Sequence, residues 1–185
     1  VNGNGRLEPP FLDRQCDGDY SENDFSVAMV VECNGFQFFV GGDLSGVTGS
    51  GYTDIETSVA PEVGDVEIYR VNHHGSRFST NQAFLDSLDP EVSIISVGGN
   101  SHGHPDTGVV RRLAETSVVY QTGDEDGNVV DGDIVIQTDC ESYYTVNGDY
   151  YGVLFIDDRP TTILPDDFLL LQNHPNPFNN TTNIT

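Results

Sequence analysis

The stretch Val66-Glu67-Ile68-Tyr69-Arg70-Val71-Asn72-His73-His74-Gly75-Ser76 decides how this chain is read. Residues 66–71 form a β-branched and aromatic run of strand length, and it passes directly into two adjacent histidines followed by glycine and serine. Side chains on a loop at the end of a strand are positioned by the rigid sheet while staying accessible, which is where chemistry is usually carried. The same arrangement recurs on either side. Upstream, residues 25–33 and 36–40 are two further strand-like runs joined by Asn34-Gly35, the dipeptide best able to take the positive φ angles of a tight hairpin. The second of these runs leads straight into Gly41-Gly42-Asp43. Downstream, residues 92–97 read as a buried strand that ends in Gly98-Gly99-Asn100-Ser101-His102-Gly103-His104-Pro105.

Helix signals fill the intervals. Ser79 or Thr80 is positioned to cap a helix carrying Ala83, Phe84 and Leu88, stopped by Asp89-Pro90. Residues 106–115 place Val109, Val110 and Leu113 on one helical face and lead into a strand at 117–121. Residues 44–64, rich in Gly, Ser and Thr, read as an excursion between strands. A turn at Asp126-Gly127-Asn128 and a strand at 133–138 close the unit, and Tyr143, Tyr144, Tyr150 and Tyr151 mark an extra strand pair. Strands alternating with helices predict an α/β layered domain with a mixed sheet, whose post-strand loops gather at one edge. The expected organisation is loop over 1–23, the α/β unit over 24–139, extra strands and linker over 140–165, and a tail over 166–185.

Composition limits the function. Thirty acidic against seven basic residues give a formal net charge of −23, and every basic residue is arginine. Such a field repels polyanions, so a nucleic acid or anionic surface would need a local cationic centre on the protein. No apolar run approaches the roughly 20 residues that cross a bilayer, and no signal peptide is visible at the start, so an export signal is expected upstream. Three cysteines, Cys16, Cys33 and Cys140, allow at most one bridge. Cys33, ending a strand, reads as a small core residue, and Cys16 and Cys140 lie in polar loops. Two acidic stretches, 17–24 and 124–133, lack the calcium-loop pattern and read better as turns.

The histidine clusters carry the chemistry. Neutral imidazoles and carboxylates are the usual ligands of zinc-class ions. Taken singly, Asp43, His73-His74 and His102-x-His104 also suit turn and surface positions. Their order strengthens the case: an apolar strand into Gly-Asp43, a strand into His73-His74-Gly75-Ser76, then a strand into Asn100 and Gly103-His104-Pro105. Over residues 24–138 this pattern strongly resembles the second half of the ComEC-type metallo-β-lactamase domain.

That resemblance implies the C-terminal half of an αββα sandwich. In it Asp43 and His104 would be metal ligands, and His74, with His73 as its rival, would contact the substrate or protonate the leaving group. Ser76 and Asn100 would bind substrate or cap their loops, and His102 would be an exposed neighbour. Two Zn2+ ions are expected in the full-length protein, with Mn2+ as the alternative. The family's upstream His-x-His-x-Asp-His cluster is not found in these 185 residues, so the fragment alone is expected to be inactive. The implied activity is a secreted phosphodiesterase or nuclease acting on extracellular DNA, with an ester hydrolase and a non-catalytic surface-binding module as rivals. Finally, Leu170-Leu171-Gln172-Asn173-His174-Pro175-Asn176-Pro177-Phe178-Asn179 resembles the opening of the type IX secretion sorting domain. It implies the type IX machinery as partner and a secreted or cell-surface location.

Overall fold

The computed structural model describes residues 21–49 and 51–152. Cys16, residues 17–20 of the first acidic stretch, and the tail with its sorting-domain resemblance lie outside the described residues.

A five-stranded mixed sheet is built from β1 (Met29–Cys33), β2 (Phe36–Val40), β3 (Ile68–Arg70), β4 (Val92–Ile95) and β5 (Val118–Gln121), side by side in chain order. The hairpin β1–β2 is antiparallel, and β2 to β5 run parallel. Its turn is the expected one, with both Asn34 and Gly35 at positive φ. Parallel strands need crossovers, and these are supplied by helices α1 (Glu56–Val63), α2 (Gln82–Leu88) and α3 (Thr107–Ala114). The fold class predicted from the strand and helix pattern is therefore the one observed.

The central strands read as nearly continuous apolar runs because both faces of the sheet are covered. On one face Phe39, Tyr69 and Ile95 pack with Phe84, Leu85 and Leu88 of α2 and Val109 and Leu113 of α3. On the other, Phe36, Ile68, Val92, Ile94 and Tyr120 pack with Tyr144 and Val146. Those last two belong to a second, antiparallel sheet of β6 (Ile136–Thr138), β7 (Tyr143–Val146) and β8 (Asp149–Gly152). Each large apolar side chain buried this way contributes roughly 1.5–3 kcal/mol, so the small sheet is part of the core.

Four local expectations are corrected. The excursion over 44–64 contains α1, whose Thr, Ser and Pro61 make a poor helix by propensity; it is held from outside, with Glu56 and Ala60 buried and the Ser87 hydroxyl donating to the Ala60 carbonyl. The cap of α2 is Asn81, whose Oδ1 accepts from the Phe84 amide at 2.8 Å, because Ser79 and Thr80 are turned inward to Asn72, Ser76 and Tyr69. The strand near 133–138 does not close the main sheet but pairs with β7. Cys33 is not a reduced core residue: it is joined to Cys140 across 107 residues of sequence, tying the hairpin to the second sheet.

Candidate functional site

Three strands deliver their C-terminal ends to one edge of the sheet, and the loops that follow meet there. After β2 the chain turns through Gly41-Gly42, and the amide of Asp43 donates to the Ser26 hydroxyl at 3.0 Å. After β3 the backbone makes a tight, kinked turn over Asn72–Gly75, in which His73 and His74 both lie in the left-handed region (φ 50° and 55°). Two consecutive non-glycine residues there are held against an intrinsic preference, and the holding groups are visible. The His73 amide donates to the Gly42 carbonyl at 3.0 Å, tying the second loop to the first. The Asn72 side chain is fully buried and its Nδ2 donates to Glu56 Oε1 at 2.8 Å. A side chain on Gly41 would collide with Asn72 Oδ1, so glycine there lets the two loops close up.

After β4, Asn100 organises the third loop. Its Oδ1 accepts from the His102 and His104 amides, and its Nδ2 donates to the Gly98 and His104 carbonyls. Both ends of that amide are committed to backbone. Gly75 packs closely on Pro105, and the Asp106 amide donates to the Gly75 carbonyl at 2.8 Å, joining the second and third loops.

The result is a cavity of about 720 Å³ lined by Asp43, His73, His74, Ser76, His102 and His104, together with Tyr52, Arg77, Phe78, Gly103 and Asp106. Of the residues singled out in the sequence, Asn100 alone does not line it. His74 Nδ1 sits 2.7 Å from the Ser96 carbonyl. A carbonyl only accepts, so Nδ1 carries the hydrogen, and in the neutral ring Nε2 bears the lone pair. That Nε2 lies 3.9 Å from Asp43 Oδ1. The His73 and His104 rings meet edge to face at 5.3 Å, and His102 stacks on His104 at 5.9 Å.

Burial pushes the pKa of His73 down, and the neighbouring imidazoles add to this against the opposing pull of Asp43. His104 is shifted the same way for the same leading reason, with His73, His102 and His74 adding to it. Both rings are therefore neutral at pH 7 and available as donors to a metal. His104 Nδ1 is buried without a hydrogen-bond partner. These donors have the chemistry of a zinc-class site, but their number is short: among the described residues no group of three or more His, Cys, Asp or Glu is placed to hold a metal ion. The second acidic stretch offers none either. Asp124 accepts from the Asn128 amide and side chain, and Asp131 from the Gln121 amide, as turn chemistry requires.

The sequence reading missed Glu56. It is fully buried behind the histidine loop and accepts from Asn72 Nδ2, the Thr80 amide and the Asn81 amide. Burial outweighs those three bonds and raises its pKa to about 7. Tyr52, Arg77 and Phe78 were also missed; Arg77 and Phe78 follow the histidine motif closely, whereas Tyr52 lies in the 44–64 excursion and carries no such signal.

No family model matches the chain. It is 30% identical over 110 residues to ComE operon protein 3 of Bacillus subtilis, a match covering 59% of this chain and 14% of that protein. It is 35% identical over 68 residues to Recombination protein 2 of Haemophilus influenzae, covering 36% of this chain and 9% of that protein. The chain thus spans a small fraction of these curated relatives, and it is distantly related to both over part of its length.

Proposed function

We propose that the cavity belongs to a hydrolase that cleaves a phosphodiester, with DNA as the substrate. The observation that carries this reading is the convergence of Asp43, His73, His74 and His104, from three separate strand ends, on one cavity. A relative named for recombination supports a nucleic-acid substrate. Asp43 and His104 are proposed as two ligands of a zinc or manganese ion, the remaining ligands lying outside the described residues. Such an ion would supply Lewis-acid polarisation and an activated water. His74, with its hydrogen fixed on Nδ1, presents Nε2 to the cavity. A proton taken up at that nitrogen from the attacking water can be passed to a leaving oxygen. Ser76 lines the cavity floor, and Asn100 acts by shaping the loop that carries His104.

We further propose that the protein works outside the cytosol, in a secreted or cell-surface setting reached by type IX secretion. The Cys33–Cys140 bridge supports an oxidising compartment. A second reading, a binding module without catalysis, is favoured by the incomplete set of metal donors among the described residues.

The deciding experiment is metal analysis of the full-length protein alongside hydrolysis of bis(p-nitrophenyl) phosphate and DNA. Bound metal with cleavage that is lost in Asp43→Ala and His104→Ala supports the hydrolase. Full metal loading without cleavage of either substrate rejects it in favour of the binding module or an ester hydrolase.

A further inference from the structure

Two aromatic rings on the cavity wall are not part of either hydrophobic core. Tyr52 and Phe78 are half-buried, line the cavity, and are absent from both core clusters. They stack on each other with centroids 4.8 Å apart and planes 25° from parallel. Backbone bonds hold both in place. The Phe78 carbonyl accepts from the Gly46 amide at 2.8 Å, the Phe78 amide donates to Ser76 Oγ, and Gly49 and Tyr52 exchange a pair of backbone bonds. Arg77 lies with its guanidinium 4.7 Å from the Phe78 ring centre, and it is the arginine among the described residues that lines the cavity. Tyr52 reaches to 6.5 Å from the His73 ring, so the stack adjoins the histidine cluster.

We propose that Tyr52 and Phe78 form a platform for an unpaired nucleobase, with Arg77 holding the adjoining phosphate, so that the site takes single-stranded nucleic acid in preference to duplex. This rests on the phosphodiester reading above and names its substrate class. The rings of the pair are too close to admit a third between them, and the Arg77 guanidinium already lies over the Phe78 ring, so the base is placed against the outer face of Tyr52. A base inside a duplex has both of its faces covered and cannot do this. Any base can, because every base has a π-face, so the platform selects for strandedness without selecting sequence. The charge balance points the same way. A chain with net charge −23 repels a polyanion, and affinity must come from a local cation and from stacking, which the −23 field does not oppose.

The test uses a short oligothymidylate carrying one 2-aminopurine, the same strand with an abasic site at that position, and the duplex of the first. The full chain has no tryptophan, and quenching of 2-aminopurine reports stacking. The expected result is quenching with the single strand and little with the duplex. Tyr52→Leu with Phe78→Leu should weaken the base-bearing strand about tenfold and leave the abasic strand unchanged. Tyr52→Phe should retain the quenching, and Arg77→Gln should weaken both strands. Equal loss on the abasic strand, leucine variants that bind like the wild type, or no binding by any strand overturns the platform. Binding is read without turnover, so the two readings separate. Quenched binding together with no cleavage by the metal-loaded full-length protein removes the phosphodiesterase and keeps the platform, whereas cleavage by that protein with equal KM for base-bearing and abasic strands, unquenched, removes the platform alone.

Discussion

Glu56→Gln should abolish a pH dependence of stability that the wild-type chain owes to one buried carboxyl. Glu56 is fully buried at the start of α1, and its pKa is raised from 4.5 to about 7, first by loss of solvation and last by the charge of Asp54, against three hydrogen bonds. In the unfolded chain the group ionises at its ordinary value. Between these two values the folded state binds more protons than the unfolded one, so stability is fully present below about pH 4.5 and falls as pH rises through about 7. With roughly 1.36 kcal/mol per pKa unit, the linkage relation gives a loss of about 2–3 kcal/mol between pH 5 and pH 8. Glutamine matches the shape of the protonated acid and does not ionise, so the variant should lack this component. Other shifted groups, such as Glu67 and Asp65, are present in both proteins and cancel in the comparison. The assay is urea unfolding at pH 5 and pH 8, followed by circular dichroism. The difference in unfolding free energy between variant and wild type should move by about 2–3 kcal/mol in favour of the variant at pH 8. An identical pH dependence in the two proteins would refute the reasoning and show that the carboxylate's three donors fully offset its burial.

Two further outcomes are expected. Reducing the Cys33–Cys140 bridge, which closes a loop of 107 residues, should lower stability by about 2–4 kcal/mol, measured by urea unfolding with and without dithiothreitol; an unchanged midpoint after full reduction would show that the bridge adds no net stability. In the full-length protein, His74→Ala should keep its metal and lose about 10²–10⁴-fold in kcat, whereas His104→Ala should lose metal and activity together, as read by elemental analysis beside hydrolysis; loss of metal from His74→Ala would make that residue a ligand.

The fold was legible wherever the signal was local. Strands β2, β3 and β4 are mostly apolar, broken only by Gln37, Arg70 and Ser93, because both sheet faces are covered, and Asn34-Gly35 dictates its turn by backbone sterics alone. The failures share a cause in tertiary contact. Helix α1 has neither a side-chain cap nor favourable composition, and it exists because Glu56 and Ala60 have partners elsewhere in the fold. Ser79 and Thr80 look like caps in sequence, but their hydroxyls are drawn to Asn72, Ser76 and Tyr69, and the next residue takes the role. The bridge between Cys33 and Cys140 depends on two sheets stacking, which nothing in the spacing of three cysteines reveals.

The candidate site divides along the same line. Asp43, His73, His74 and His104 could be named from sequence because each lies in a loop that follows a strand, and parallel strands bring such loops to one edge, while the choice of His104 over His102 rests on the family resemblance. What holds them could not be named. Asn72 precedes the two histidines and looks like an ordinary loop residue, yet its buried amide bonds Glu56 from a distant helix and its Oδ1 closes against Gly41 from the Asp43 loop. The same carboxylate accepts from Thr80 and Asn81 at the start of α2. One buried acid thus links α1, the histidine turn and the cap of α2, which explains how two adjacent histidines are kept in the left-handed region without glycine's freedom. The reactive groups are written in the motif, whereas their orientation is written in residues that only the folded chain brings next to it.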